Sequence, residues 1–339
     1  MSLALASPHP PRPLPGRASL GAGLVLASAI VWSSGGIFGR LLGDLDPWTV
    51  IFWRAGFAAL FLLGFMTWRD GPRGALARFR TMGRPGLAVA LCFAVASTAF
   101  VVALGYTTVA NILLVQAGGP LLAALGGRVF LGEPVNRTTW VAIAAVLGGV
   151  AVMVSGTLTG RVSPVGDLLA LLIVFAAAAA TLVTRRHAGV PMTPAVCLGT
   201  LVAALVAAVL APTLAAAPGD YPLLAGFGAL NLGLGLALFV SGVPLIPAAV
   251  AALLGTAEIV LGPFWVWLLL GETPPARTLA GGGIVLAALG LHLAGQIHSQ
   301  IRERARRRLS TGAQAGASVG GVGHGGNAVA AADMTGRAD

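Results

Sequence analysis

Two stretches decide how this chain is read: GGPLLAALGGRVFLGEPVNR, Gly118–Arg137, and AEIVLGPFWVWLLLGETPPAR, Ala257–Arg277. Each is a long apolar run that closes on Leu-Gly-Glu, at Leu131–Glu133 and again at Leu270–Glu272. Sliding the sequence by 139 residues lays Phe100–Glu133 on Phe239–Glu272 without a gap. Eight of the 34 positions are then identical: Phe100, Val101, Ala110, Leu114, Leu122, Leu131, Gly132 and Glu133 with their counterparts. Asp46-Pro47 with Thr193-Pro194, and Arg40 with Arg185, extend the match more weakly at slightly different offsets. The chain therefore reads as a duplicated unit.

Composition names the solvent. With 57% hydrophobic and 9% charged residues, and a mean hydropathy of +0.89, the chain has too little polar surface for water, since soluble domains carry roughly 25% charged residues. Pro85–Gly127 contains no Asp, Glu, Lys or Arg, which at roughly 20 residues per span is room for two crossings. Apolar runs between turn signals predict ten helices, at 20–42, 47–68, 86–105, 108–131, 138–156, 166–184, 194–212, 222–243, 247–270 and 278–297. The runs lack the alternating pattern of a lipid-exposed barrel and are about twice a barrel strand's length, so only helices satisfy the backbone in lipid. The expected fold is an all-α membrane protein whose ten transmembrane helices form two five-helix repeats, residues 20–156 and 166–298. A Pro-rich cytoplasmic leader, residues 1–19, and a basic, then Gly/Ala/Ser-rich tail, residues 299–339, are both expected to be disordered.

All 21 basic residues are arginine. The absence of lysine excludes a Walker-type phosphate loop and any Schiff base, so the chain is not its own ATP-driven pump of that kind. Cys92 and Cys197 stand alone in apolar runs, and His292 and His298 are six apart, off a common helix face, so no metal or other cofactor is expected. The net charge of +10 does not point to nucleic acid, because the arginines sort by side of the membrane. With the N-terminus inside, fifteen fall in cytoplasmic segments and three, Arg40, Arg161 and Arg277, fall outside. Both termini are expected in the cytoplasm and the protein in the cell's inner (plasma) membrane. Five spans per unit is an odd number, so the second repeat enters the membrane upside down relative to the first. Inverted repeats of this kind build secondary transporters that open alternately to each face.

DPWTVIFWRAGFAALFLL from Asp46, ALGYTTVANILLVQAGGPLLAALGGRVFLGE from Ala103 and IPAAVAALLGTAEIVLGPFWVWLLLGE from Ile246 resemble the signature segments of the drug/metabolite transporter superfamily, in its EamA-type ten-span form. The resemblance covers roughly residues 20–297. It implies a transporter of small metabolites, commonly an exporter of amino acids or related compounds. One departure stands out: after Glu258 the family usually has Pro, as the first half does at Pro120, whereas this chain has Ile259 and carries Pro263 a turn later. The break in that helix is therefore expected to be displaced.

Charges inside spans mark candidate substrate-binding residues. Arg54 lies roughly 10 Å inside the second span, where a charge costs about 2.5 to 3.5 kcal/mol, so it should face a wet cavity or a partner. Glu258, near the middle of the ninth span, could pair with it, bind a cationic group or carry a coupling proton. Arg128, near the end of its span, is expected to snorkel. Trp32, Ser33, Ser34, Tyr106, Asn111, Gln116, Asn231, Trp265 and Trp267 are further candidates for the cavity, while Pro120 and Pro263 are candidate helix breaks that free backbone carbonyls. Gly35, Gly39 and Gly43 recur every four residues as a close-packing face, within a monomer or in a homodimer.

The function expected is a secondary transporter, not an enzyme. It would move a small-molecule substrate by alternating access, with membrane lipid as solvent, no nucleic acid partner and a gradient, such as a coupling proton, as its energy source. The alternatives are a facilitative pore and an intramembrane enzyme such as a protease. Against the enzyme, Ser34, Ser155 and Ser241 lack the earlier Gly of a GxSG motif, and the Gly-Asp pairs at Gly43, Gly166 and Gly219 lack that of GxGD.

Overall fold

A computed structural model describes residues 15–43, 45–107, 109–155, 163–271, 273 and 275–295. Among them no strand occurs, and ten helices are long and apolar enough to cross a membrane. They are Arg17–Leu41, Pro47–Thr81, Gly83–Phe100, Asn111–Leu131, Arg137–Val154, Pro164–Arg186, Thr193–Leu210, Asp220–Leu245, Ala248–Leu270 and Ala276–Gly295, here called spans 1 to 10. Most of the expected leader and all of the expected tail lie outside the described residues. Helix nevertheless begins at Pro15, ahead of the expected start at Leu20.

Leu-Gly-Glu is a helix stop. Gly132 and Gly271 end spans 4 and 9 in the left-handed region, at φ 64° and 71°, where a residue with a Cβ is strained. The Glu133 N–H then reaches back six residues, 3.0 Å to the Gly127 carbonyl, and the Gly271 N–H reaches back four, 3.0 Å to the Trp267 carbonyl. One carboxylate oxygen of Glu133 accepts the Ala248 N–H at 3.0 Å, satisfying a free donor in the first turn of span 9. The first repeat's stop is thus joined to its twin span.

The residues up to His292 form one compact unit in which packing runs between the repeats. Span 1 lies on span 8, span 2 on span 7, span 3 on span 6 and span 4 on span 9. Spans 5 and 10 cross at Gly149 and Gly281, where a Cβ on Gly149 would sit 2.8 Å from the Gly281 carbonyl oxygen. Exchanging every span for its twin returns the same set of pairs. The expected Gly stripe does not form a continuous packing face: a Cβ at Gly35 would touch Asn231 at 3.6 Å, but Gly39 meets nothing within 4 Å.

One expectation is refined and one corrected. The apolar part of span 2 ends shortly after Trp68, but helix resumes past Gly71, whose φ of 72° bends the chain, and runs to Thr81. Proline in the first turn after a bend starts a helix as readily as it ends one. Pro263 does not break span 9. It lies inside the continuous helix Ala257–Leu270, and the interruption falls at Thr256. Span 4 is interrupted at Ala117 and Gly118, between Val109–Gln116 and Gly119–Leu131, with Pro120 in the new first turn. The repeat offset of 139 carries Ala117 onto Thr256, so the break has kept its register without a proline beside it. The Thr256 hydroxyl supplies a local substitute by donating to the Leu253 carbonyl at 2.6 Å.

Candidate substrate site

Span 1 is broken in the same manner, at Ser34, between Pro15–Ser33 and Gly35–Leu41. The hydroxyls of Ser33 and Ser34 turn back onto the carbonyls of Ile30 and Val31, at 2.6 and 2.7 Å, offering the backbone an alternative to the helical ladder. The carbonyls freed at the break are met from span 8. The Asn231 amide nitrogen donates to the carbonyls of Val31 and Trp32, at 2.8 and 3.0 Å, and to the Ser34 hydroxyl at 3.1 Å. Asn231 is itself in a π-helical stretch, Gly226–Leu234, a wide winding that recurs at functional sites. From span 9, the Trp265 indole donates to the Ser33 hydroxyl at 2.9 Å. Trp32, Ser33, Ser34, Asn231 and Trp265, five of the residues marked in the sequence, are therefore one hydrogen-bonded cluster.

Beside this cluster is a cavity of about 450 Å³, with Ser34, Phe38, Asn231 and Trp265 among its lining. Phe38 stacks on Phe227 at 5.1 Å, and Phe227 carries the Arg54 guanidinium over its ring at 4.4 Å from the centroid. Arg54 and Glu258 attract each other electrostatically. No ion pair within 4 Å joins them among the described residues. Glu258 stands in the first turn of the helix segment that begins after the Thr256 break, where the free N–H groups favour a negative charge. Three buried polar atoms in this region lack a hydrogen-bond partner: Arg54 Nε, Trp32 Nε1 and Asn231 Oδ1. A buried polar atom left unpaired costs about 1 to 3 kcal/mol, and of these three residues Asn231 is the one that lines the cavity.

The other marked residues lie apart from the cluster. Asn111 is buried, but its amide donates to Thr107 at 2.9 Å and to the Asp167 carboxylate at 2.6 Å, fastening the start of span 4 to that of span 6. Gln116 closes the helix segment before the span 4 break. Tyr106 and Trp267 are 47% and 44% exposed and are not part of the cavity lining. Arg128 is exposed, as snorkelling requires. Sequence reasoning missed Phe227, which lies four residues before Asn231 and so within about one turn of it; that spacing was the available signal. It also missed Asp167, in the first turn of span 6, weighed only as part of a Gly-Asp pair.

An all-helical bundle of ten membrane spans, duplicated and holding a polar cluster where its helices break or widen, is the architecture of a membrane transporter. The chain belongs to the EamA-like transporter family, whose profile matches residues 19–155 and 164–294. It is also similar to Uncharacterized protein PA1977 of Pseudomonas aeruginosa, 34% identical over 155 residues, or 43% of this chain and 49% of that one. The chain thus spans about half the length of this curated relative. A solved crystal structure superposes with a TM-score of 0.70 at 18% identity, covering 80% of this chain and 96% of that chain, a likeness of fold.

Proposed function

We propose that this protein is a secondary transporter that exports a small metabolite bearing both charges, an amino acid or related compound, across the inner membrane by alternating access. The observation that carries the reading is the pairing of Arg54 and Glu258, opposite charges inside the bundle that are not closed into an ion pair. A zwitterion presents a carboxylate to the guanidinium and an ammonium to the carboxylate, and the unpaired Asn231 Oδ1 accepts a further N–H. Aromatic walls at Phe38 and Trp265 supply the apolar remainder of the pocket.

The exchange-symmetric pairing of the spans supports a two-fold relation between the repeats, and five spans in each turn that axis into the membrane plane. Both termini then lie in the cytoplasm. The breaks at Ser34, Ala117–Gly118 and Thr256 provide joints at which half-helices can tilt. Uptake of radiolabelled amino acids into proteoliposomes tests the reading. Counterflow driven by unlabelled substrate on the opposite side is expected of a transporter; equal flux without acceleration by counter-substrate would indicate a pore and overturn it.

A further inference from the structure

Beyond Gly71 the chain leaves span 2 and forms a surface helix, residues 72–81, bounded by two positive-φ glycines, Gly71 at 72° and Gly83 at 53°. Its sequence, PRGALARFRT, is amphipathic. Ala75 and Met82 are buried and Arg78 and Phe79 half-buried, at the i, i+3, i+4, i+7 spacing of one face. The opposite face presents Arg73, Leu76, Arg80 and, just past the end, Arg84, all exposed. Asp70, at the end of span 2, is already held by Arg69 at 3.1 Å and Arg78 at 2.5 Å. Arg73, Arg80 and Arg84 have no ion-pair partner among the described residues, so this face carries uncompensated positive charge beside the exposed Leu76 side chain.

An independent feature lies directly beneath. A groove of about 370 Å³ runs along spans 2 and 7, walled by Phe52, Gly56, Leu60, Leu63, Leu201 and, from the surface helix itself, Phe79. Leu60, Leu63 and Leu201 are 64%, 42% and 45% exposed, so the groove opens sideways to lipid. From Leu63 to Phe52 it follows span 2 for roughly 16 Å at 1.5 Å per residue, about one leaflet's share of a ~30 Å hydrocarbon core. Cations on the surface helix and an apolar trough that its Phe79 helps to wall match the two ends of one kind of molecule.

We propose that the surface helix and this groove form a binding site for one anionic phospholipid, its phosphate on Arg73, Arg80 and Arg84 and an acyl chain along Gly56 and Leu60. The guanidiniums reach phosphate oxygens as paired donors, and Leu76 sits at the boundary between headgroup and chain. The site is separate from Arg54, Glu258 and the cavity beside Asn231, and does not depend on what is transported.

Native mass spectrometry of the detergent-purified protein, titrated with dioleoyl phosphatidylglycerol or dioleoyl phosphatidylcholine, tests this. The wild type is expected to retain one phosphatidylglycerol in preference to phosphatidylcholine. At about a fivefold effect per arginine, the triple variant R73Q/R80Q/R84Q should bind it roughly 100-fold more weakly and lose the preference. Gly56→Leu, whose new side chain meets open space at the groove wall, should weaken both lipids with the arginines intact. Leu60→Trp gives the same test should Gly56→Leu fail to fold. Equal retention of the two lipids by the wild type, or an unchanged preference in the triple variant, overturns the headgroup contact. Unchanged binding in the folded groove variants overturns the acyl-chain seat.

Discussion

Arg185 and Glu133, 52 residues apart in sequence, meet with Nε and Oε1 separated by 2.7 Å, and both side chains are almost wholly buried, at 5% and 11% exposure. The pair is more than a charge contact, because each partner also holds backbone. Glu133 accepts the Ala248 N–H, and Arg185 donates to the Pro244 carbonyl. The ends of spans 4, 6 and 8 and the start of span 9 are therefore fastened at one point.

Arg185→Ala is expected to destabilise the protein by about 3 to 5 kcal/mol, since it strands a carboxylate that is out of water. Glu133→Gln/Arg185→Met, which removes both charges and keeps an acceptor for Ala248, should recover most of that loss. Thermal unfolding of the purified protein, followed by size-exclusion chromatography, measures both. A double variant as unstable as Arg185→Ala would contradict the account.

Inside the bundle, Arg54→Ala and Glu258→Gln should each abolish transport while leaving membrane abundance near wild type, because neither charge is locked to the other. Proteoliposome flux and immunoblotting of membranes report the two quantities. If Glu258 carries the coupling proton, Glu258→Gln retains exchange but loses transport driven by a pH gradient. Normal gradient-driven flux in Glu258→Gln removes that residue from the mechanism.

Asn231→Leu removes three hydrogen bonds at the span 1 break, for an expected cost of about 2 to 4 kcal/mol at roughly 1 per lost bond. Asn231→Gln, with the same chemistry on a longer arm, should fold better yet transport poorly. Comparing melting temperature with flux separates the two effects; wild-type flux in Asn231→Gln would show that the amide's position is unimportant.

Orientation is checked by single cysteines at Arg137 and Arg277, both exposed, in a background lacking Cys92 and Cys197. An impermeant thiol reagent added to intact cells should label the second position and spare the first. The reverse pattern would invert the topology.

Span positions were legible in the sequence because a helix in lipid must be a run of roughly 20 apolar residues, and little else interrupts such a run. Arg54 and Glu258 were legible for the complementary reason, as charges where charge is expensive. What sequence could not supply was pairing across distance. Asn231 and Ser34 were each marked, yet nothing local says that one amide closes the other's broken helix. Asn111 looked equally suited to the pocket and instead bonds Asp167, since its own turn places it at the end of the bundle. The Thr256 break was hidden because a hydroxyl does there what a proline does not, and the surface helix after Gly71 was hidden because Gly-Pro reads as a stop.

The Asn231 contact also constrains how the chain is made. Its acceptors on span 1 precede it by as many as 200 residues, and at about 5 to 20 residues per second of synthesis span 1 waits roughly 10 to 40 seconds for it. During that interval the broken turn at Ser34 sits in the bilayer without the amide that bridges its Val31 and Trp32 carbonyls, leaving the serine hydroxyls as local partners. The same delay holds for every span that packs on the other repeat, so the first half inserts as a loose set of helices and consolidates only as the second arrives. A ribosome that stalls between the repeats leaves a product for quality-control proteases, not a half-sized transporter.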